Sequence, residues 1–188
     1  MVKLVGISGS LRRASINSGL LRAAAELMPH GHEIVIASIR EIPLYDGDLE
    51  ARDGVPAPVS ALKDLIAATD GLLISTPEYN NSVPGVLKNA VDWLSRPSAD
   101  IGRVFGGRPV AVMGASPGGF GTTLSQNAWL PVLRTLGTQP WFGGRLMVSR
   151  AGSLFSASGE LIDEGTRENL RKFVAGFVAF AERQSHRT

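Results

Sequence analysis

Short apolar runs and longer amphipathic stripes take turns along this chain. Residues 4–8, 33–38 with Ile34-Val35-Ile36, 71–76 with Leu72-Leu73-Ile74, and 109–113 are compact apolar runs closed by glycine, proline or polar residues. Runs of this length and composition predict buried strands. A fifth strand is predicted over 139–149, interrupted by Gly143-Gly144. Between the runs, apolar residues recur at helical spacing. Leu20, Leu21, Ala24, Leu27 and Met28 form one stripe, stopped by Pro29 and Gly31. A loop holding Pro43, Gly47, Gly54, Pro56 and Pro58 precedes a helix predicted over 60–69. Further helices are predicted over 85–95 (Val86, Leu87, Ala90, Val91, Leu94) and 123–136. The last stripe, Leu170, Phe173, Val174, Phe177, Val178 and Ala181, has a clear 3.6-residue period.

Strand and helix alternating in this way predict an α/β fold with a parallel sheet covered on both faces. With right-handed crossovers, two arrangements fit: a six-stranded dinucleotide fold and a five-stranded flavodoxin-like three-layer sandwich in the order 2-1-3-4-5. Five predicted strands favour the second. No repeat or interdomain linker is visible, so residues 1–188 are expected to form a single domain, with 182–188 as a disordered tail.

Composition narrows the function classes. Nineteen basic and seventeen acidic side chains leave a net charge of only +2, and the basic residues are scattered, which argues against nucleic acid as a partner. There are no cysteines, which removes disulfides, thiolate catalysis and sulfur-ligated metals. His30 and His32 flank Gly31 in a predicted turn and are expected to be solvated, so no metal site is assigned. The N-terminus is too short for a signal segment, and no run approaches the ~18 apolar residues of a membrane span. The chain is therefore expected to be cytoplasmic and without a membrane partner.

All strands of a parallel sheet end at one edge, where ligands bind at the switch point between strands one and three. The loops leaving strands one, three and four are the ones rich in Gly, Ser, Asn and Pro. The first, Gly9-Ser10-Leu11-Arg12-Arg13-Ala14-Ser15-Ile16-Asn17, combines hydroxyls, an amide, an arginine and a helix start, the donor set that a phosphate needs. The same residues also suit an ordinary strand-to-helix turn capped by Ser15 or Asn17. The first loop is neither a P-loop nor a GxGxxG fingerprint, and strand two ends at Ala37-Ser38 without a ribose-binding acid. In the second loop, Thr76 to Gly85, two prolines stiffen the chain and Tyr79 offers a flat face beside side-chain amides, which suits a planar heterocycle. In the third, Gly114 to Thr122, four glycines permit close backbone approach and Ser116 can hydrogen-bond a ring edge.

Gly9-Ser10-Leu11-Arg12 with Ser15 and Asn17, Thr76-Pro77-Glu78-Tyr79-Asn80 with Ser82-Val83-Pro84-Gly85, and Leu87-Lys88-Asn89-Ala90-Val91-Asp92-Trp93-Leu94 together resemble the NADPH-dependent FMN reductase family. Within it, the chromate and quinone reductase branch, related to azoreductases, is the most similar. The resemblance runs from about residue 4 to residue 144 and implies an oxidoreductase that binds FMN. NADPH or NADH would reduce the flavin, and a quinone, azo, nitro or chromate-type acceptor would reoxidise it. It places the FMN phosphate at Ser10, Leu11, Arg12, Ser15, Ile16 and Asn17. The ring falls at Pro77, Glu78, Tyr79 and Asn80, with Ser116 and Gly118 on the third loop. No side chain is implied as a catalytic acid or base, because the flavin carries the chemistry. The resemblance also implies a homodimer or homotetramer, to which the apolar Leu124, Trp129, Leu130, Val132, Leu133 and Leu136 would contribute. Arg12, Arg13 and Arg103 are the candidates for reading the 2′-phosphate of NADPH.

Two other readings compete. A flavodoxin-like electron carrier would share the fold and cofactor but lack its own NAD(P)H activity. A serine hydrolase would use Ser116 within Gly114-Ala115-Ser116-Pro117-Gly118, with Asp163 and His186 in triad order. Against the hydrolase, Pro117 has no N–H to donate to an oxyanion, and His186 stands at the chain end.

Overall fold

The computed structural model describes residues 1–185. Five strands form one parallel sheet: β1 (Lys3–Ser8), β2 (Glu33–Ala37), β3 (Gly71–Ser75), β4 (Pro109–Ala115) and β5 (Gln139–Pro140), in the order β2-β1-β3-β4-β5. This is the order expected from the alternation of runs and stripes. A sixth strand, β6 (Met147–Val148), also pairs with β4. The run read as one fifth strand is thus two short ones. β5 pairs the start of β4 at Pro109 and Val110, and β6 pairs its end at Gly114 and Ala115. The Gly143-Gly144 break is where the chain leaves the sheet, and Trp141 fills the space: a Cβ on either glycine would come within 3 Å of its indole.

Helices α1 (Ile16–Glu26), α2 (Gly47–Asp53), α3 (Ala57–Ala67), α4 (Gly85–Leu94), α5 (Ile101–Val104), α6 (Thr123–Thr135) and α7 (Glu164–Ser185) follow in chain order. Alternate strand positions feed two cores, as the two-residue period requires. Leu4, Leu73, Ala111 and Met113 face α1 and α7, where Leu20, Leu21, Ala24, Phe173, Val174 and Phe177 are buried. Val5, Ile7, Leu72, Ile74 and Val110 face α3, α4 and α6, where Leu62, Ile66, Leu87, Trp93, Trp129 and Leu133 are buried. The indole N–H of Trp93 donates to the Pro43 carbonyl at 3.0 Å, and that of Trp129 to Thr76 Oγ1 at 3.2 Å, so both fully buried tryptophans keep their polar atom satisfied.

Helix α2 lies in a segment read as loop. It buries none of its residues and so shows no apolar stripe; the Asp46 side chain caps it by accepting from Asp48 N at 2.9 Å. The final helix continues through Ser185, so residues 182–185 are helical, and the rest of the segment read as a disordered tail lies outside the described residues. His32 is not free in solvent: its Nδ1 accepts from Val2 N at 3.0 Å and its Nε2 stands 3.7 Å from Glu182. Among the described residues no group of three or more His, Cys, Asp or Glu is placed to hold a metal ion, and no helix is long and apolar enough to cross a membrane.

Candidate flavin site

Each of the three loops begins where a strand leaves the same sheet edge, so the parallel topology brings them together. Gly9 ties the first to its neighbour, donating its N–H to the Ser75 carbonyl at 2.9 Å. It also packs beneath the second loop, where a Cβ would meet Pro77, Pro84 and Leu87 at 2.9–3.0 Å. Ser15 is the N-cap of α1, its hydroxyl accepting from Ser18 N at 3.3 Å. The N–H groups of Ile16 and Asn17, ahead of Ser18 in the first turn, have no acceptor within the helix, and they carry the positive end of its dipole. Ser10 is 8% exposed, and its hydroxyl accepts from Arg12 N at 3.4 Å.

Asn17 also braces the frame of the cleft. Its side chain is 2% exposed and closes a two-way bridge to the end of β4, its Nδ2 donating to Ala115 O at 2.8 Å and its Oδ1 accepting from Ala115 N at 2.9 Å. Ser75 Oγ donates to the Asn17 carbonyl at 2.9 Å. One amide therefore locks the first loop to the tips of β3 and β4. Asn17 shapes the cleft and lines it, with both of its polar side-chain atoms already engaged.

The second loop is built on a two-residue reversal. Tyr79 N–H donates to Ser82 O at 3.2 Å and Ser82 N–H to Tyr79 O at 3.0 Å, while Asn80 and Asn81 adopt φ of 50° and 60°. Two consecutive positive φ values define the tight I′ turn, and asparagine tolerates them better than most residues. The turn leaves Tyr79 45% exposed beside the cleft. At the base of the loop, Thr76 Oγ1 joins Ser125 Oγ, the Pro77 carbonyl and the Trp129 indole. Glu78 also turns to α6: its Oε2 accepts from Leu124 N at 2.8 Å and Ser125 N at 3.0 Å. Thr122, the residue before α6, makes no side-chain cap, so Glu78 supplies that function from 46 residues away. Glu78→Ala is expected to lower stability by about 1 kcal/mol, with Glu78→Gln recovering part of it through its amide oxygen; urea unfolding of the two variants measures this.

The third loop is held from behind. Ser116 donates its N–H to Val148 O at 2.9 Å, and Ser116 O accepts from Ala151 N at 3.1 Å. Its hydroxyl accepts from Gly118 N at 3.2 Å. The serine-hydrolase reading finds little here: Asp163 caps α7 through Thr166 N at 2.7 Å, and that bond holds its carboxyl below the ordinary range. His186 lies outside the described residues.

Between the loops is a cleft of about 210 Å³. Of the expected residues, Ser10, Arg12, Ser15, Ile16, Asn17, Pro77, Glu78, Tyr79 and Ser116 line it. Leu11 instead lines a neighbouring hollow, Asn80 stands in the turn, and Gly118 is outside the lining, its N–H donating to the Ser116 hydroxyl. Ala14, Ala115, Pro117 and Gly152 also line the cleft. Gly152 belongs to the turn after β6, and no local signal in the sequence connects it with the three loops. The first loop brings hydroxyls, an arginine and helix N–H groups to the cleft, and the second brings proline and tyrosine, with the one lining carboxylate, Glu78, already engaged. A phosphate joined to a flat heterocycle fits this donor set.

The family described as NADPH-dependent FMN reductase matches residues 2–153. An NAD(P)H-dependent FMN reductase of Pseudomonas aeruginosa is 44% identical over 171 residues, 91% of this chain and 90% of its own. A quinone reductase of Escherichia coli is 37% identical over 188 residues, 97% of this chain and 96% of its own. The solved structure of FerB, a flavoenzyme NAD(P)H:(acceptor) oxidoreductase from Paracoccus denitrificans, superposes with a TM-score of 0.86 at 34% identity, covering 98% of this chain and 99% of that one. The strand order, the loops gathered at one sheet edge and these similarities agree: the chain belongs to the NADPH-dependent FMN reductase family.

Proposed function

We propose that the chain is an NAD(P)H-dependent FMN oxidoreductase that reduces small acceptors of the quinone class. The observation that carries this reading is the cleft itself: a phosphate-type donor set and an aromatic wall meet in one opening at the sheet's switch point. FMN, when bound, supplies a centre that accepts hydride from NAD(P)H and passes electrons to the acceptor.

The protein binds and orients. Ser10, Arg12, Ser15 and the first-turn N–H groups of α1 hold the phosphate, each charge-assisted hydrogen bond contributing roughly 1.5–3 kcal/mol. Pro77, Tyr79 and Ser116 line the ring, and the Asn17 bridge keeps the first loop in register with the tip of β4. The cleft contains no His or Cys, so the acid–base demands on the protein are slight. One opening serves donor and acceptor in turn, and double-reciprocal plots are expected to be parallel.

The same reading extends to the assembly and its setting. The chain works in the cytoplasm as a homodimer or homotetramer. Trp129, Leu133 and Leu136 of the helix expected to meet a partner are buried in the core, whereas Leu124 and Leu130, with Phe120 and Phe142 nearby in the chain, remain exposed and available to a second copy. Light scattering on the purified chain gives the assembly size.

The test of function is an absorption spectrum of the protein supplied with FMN, chromatography of the released flavin, and oxidation of NADPH and NADH with a benzoquinone acceptor. Near-stoichiometric FMN and steady turnover are expected. A preparation that binds no flavin would end the proposal, and one that binds FMN but needs a separate reductase would be a carrier.

A further inference from the structure

Between the excursion that joins β5 to β6 and helix α7 lies a hollow of about 660 Å³, larger than the flavin cleft and sharing no lining residue with it. Part of its lining is apolar and buried: Leu146, Val148 and Phe173. The indole of Trp141 lines it too, set edge to face on Phe173 with ring centroids 5.1 Å apart. Three glycines fix that indole. A Cβ on Gly143, Gly144 or Gly176 would come within 2.5–2.8 Å of it. Gly176 stands inside α7, where glycine weakens a helix, so its place there answers to the indole.

The polar lining is rich in donors that have no partner. The Arg145 guanidinium makes no ion pair or hydrogen bond among the described residues, and neither does the Asn169 amide. Lys172 Nζ has only a loose, exposed pairing, 3.6 Å from Glu168. The N–H groups of Gly143, Gly144 and Arg145 also lack an acceptor among the described residues. No carboxylate lines the hollow. Other charged groups of α7 are better occupied: Arg167 pairs with Glu26 at 2.9 Å and Arg171 with Glu168 at 3.2 Å. Two cations and several free donors beside buried apolar and aromatic side chains suit a ligand with an anionic group on a flat apolar body. The volume lies within the roughly 300–1,000 Å³ of small-molecule sites.

We propose that this hollow is a second ligand site, which takes a small aromatic carboxylate or sulfonate. Arg145 and Lys172 receive the anionic group, Asn169 adds a donor, and Trp141 and Phe173 flank the ring. The site needs neither FMN nor NAD(P)H and stands apart from the flavoenzyme reading. It adjoins the support of the third loop, because the carbonyl of Val148 accepts from Ser116 N at 2.9 Å. An occupant therefore touches the strand that holds Ser116.

The test is calorimetric titration of the protein with 2-naphthoate in saturating FMN, which keeps the flavin cleft filled. One saturable site per chain is expected. 2-Naphthol, the same ring without the charge, should bind at least about tenfold more weakly. Arg145→Gln is expected to weaken 2-naphthoate by roughly 10- to 100-fold. Lys172→Gln, which removes a more exposed cation, should weaken it by roughly 2- to 5-fold. FMN affinity should stay within about twofold of the parent in both variants, the size of effect an exposed substitution away from a site has. Arg183→Gln removes a cation from the last turn of α7, outside the hollow, and should bind like the parent. No saturable binding at millimolar 2-naphthoate, equal affinity for 2-naphthol, or release of FMN during the titration would each overturn the proposal. So would unchanged binding in Arg145→Gln, or an equal loss in Arg183→Gln. A chain that proves to hold no FMN leaves the test intact, because the ligand contrast and the variants are read without flavin.

Discussion

Gly19→Ala is expected to cost about 3 kcal/mol or more of folding stability and to weaken FMN binding at least about tenfold. Gly19 sits in α1, and a Cβ there would lie 1.6 Å from the carbonyl oxygen of Gly159 and 2.9 Å from its carbonyl carbon. Both contacts are backbone, so no side chain can rotate away. Gly159 cannot yield easily. It adopts φ +80° in a turn closed by Gly159 N–H to Ser156 O at 2.9 Å and Ser156 N–H to Glu160 O at 2.8 Å. That turn is pressed against the first loop as well, for a Cβ on Gly159 would meet Ala14 and Ser15 backbone atoms at 3.0–3.2 Å. Any movement that admits a methyl group therefore shifts the start of α1, where the phosphate is to be held. Gly47→Ala in α2 is the control: the nearest atom to its Cβ is the Tyr45 hydroxyl at 3.8 Å, and the change should be neutral or slightly stabilising. Urea unfolding and fluorescence titration with FMN measure the two effects; a Gly19→Ala protein as stable as its parent would show that the α1 contact with the Gly159 turn is not tight.

Asn17→Ala should be nearly as damaging, by a different route. It removes the acceptor of Ala115 N–H and the donor to Ala115 O in a position shielded from water. Leaving two buried backbone groups unpaired costs on the order of 2–6 kcal/mol, since each carries about 1–3. Asn17→Asp keeps the side-chain volume and the acceptor but loses the donor, setting a carboxylate against the Ala115 carbonyl, and it should recover little. The loss should also appear in flavin affinity, because the bridge spans the tips that frame the cleft. Unfolding curves for both variants, with FMN absent and present, separate stability from binding. If Asn17 acted only as a phosphate ligand, the flavin-free proteins would unfold like the parent.

These two residues also show what the sequence could and could not convey. The cap at Ser15 is a local property written in a few neighbouring residues, and the parallel strand order follows from the alternation of runs and stripes along the chain. The partners of Asn17, Glu78 and Gly19 lie 98, 46 and 140 positions away, and no spacing rule connects them. A buried Asn that braces two strands and an exposed one that binds phosphate look alike in a one-dimensional pattern. Glu78 shows the same ambiguity: in Thr76-Pro77-Glu78-Tyr79-Asn80 it reads as part of a ring-binding segment, and folding makes it the cap of another helix. Helix α2 leaves no apolar stripe because it buries nothing, and two short pairings on one neighbour leave the same apolar trace as a single strand interrupted at Gly143-Gly144.

That divided pairing has a consequence beyond the site. Four residues in two separated pieces, with an excursion anchored by Trp141 between them, close the β4 side of the sheet. An uninterrupted row of free N–H and C=O groups is what recruits a strand from another molecule and seeds fibrils. This border offers no such row, so copies of the chain that associate here must do so through side chains on helices and loops, and the sheet ends at this border.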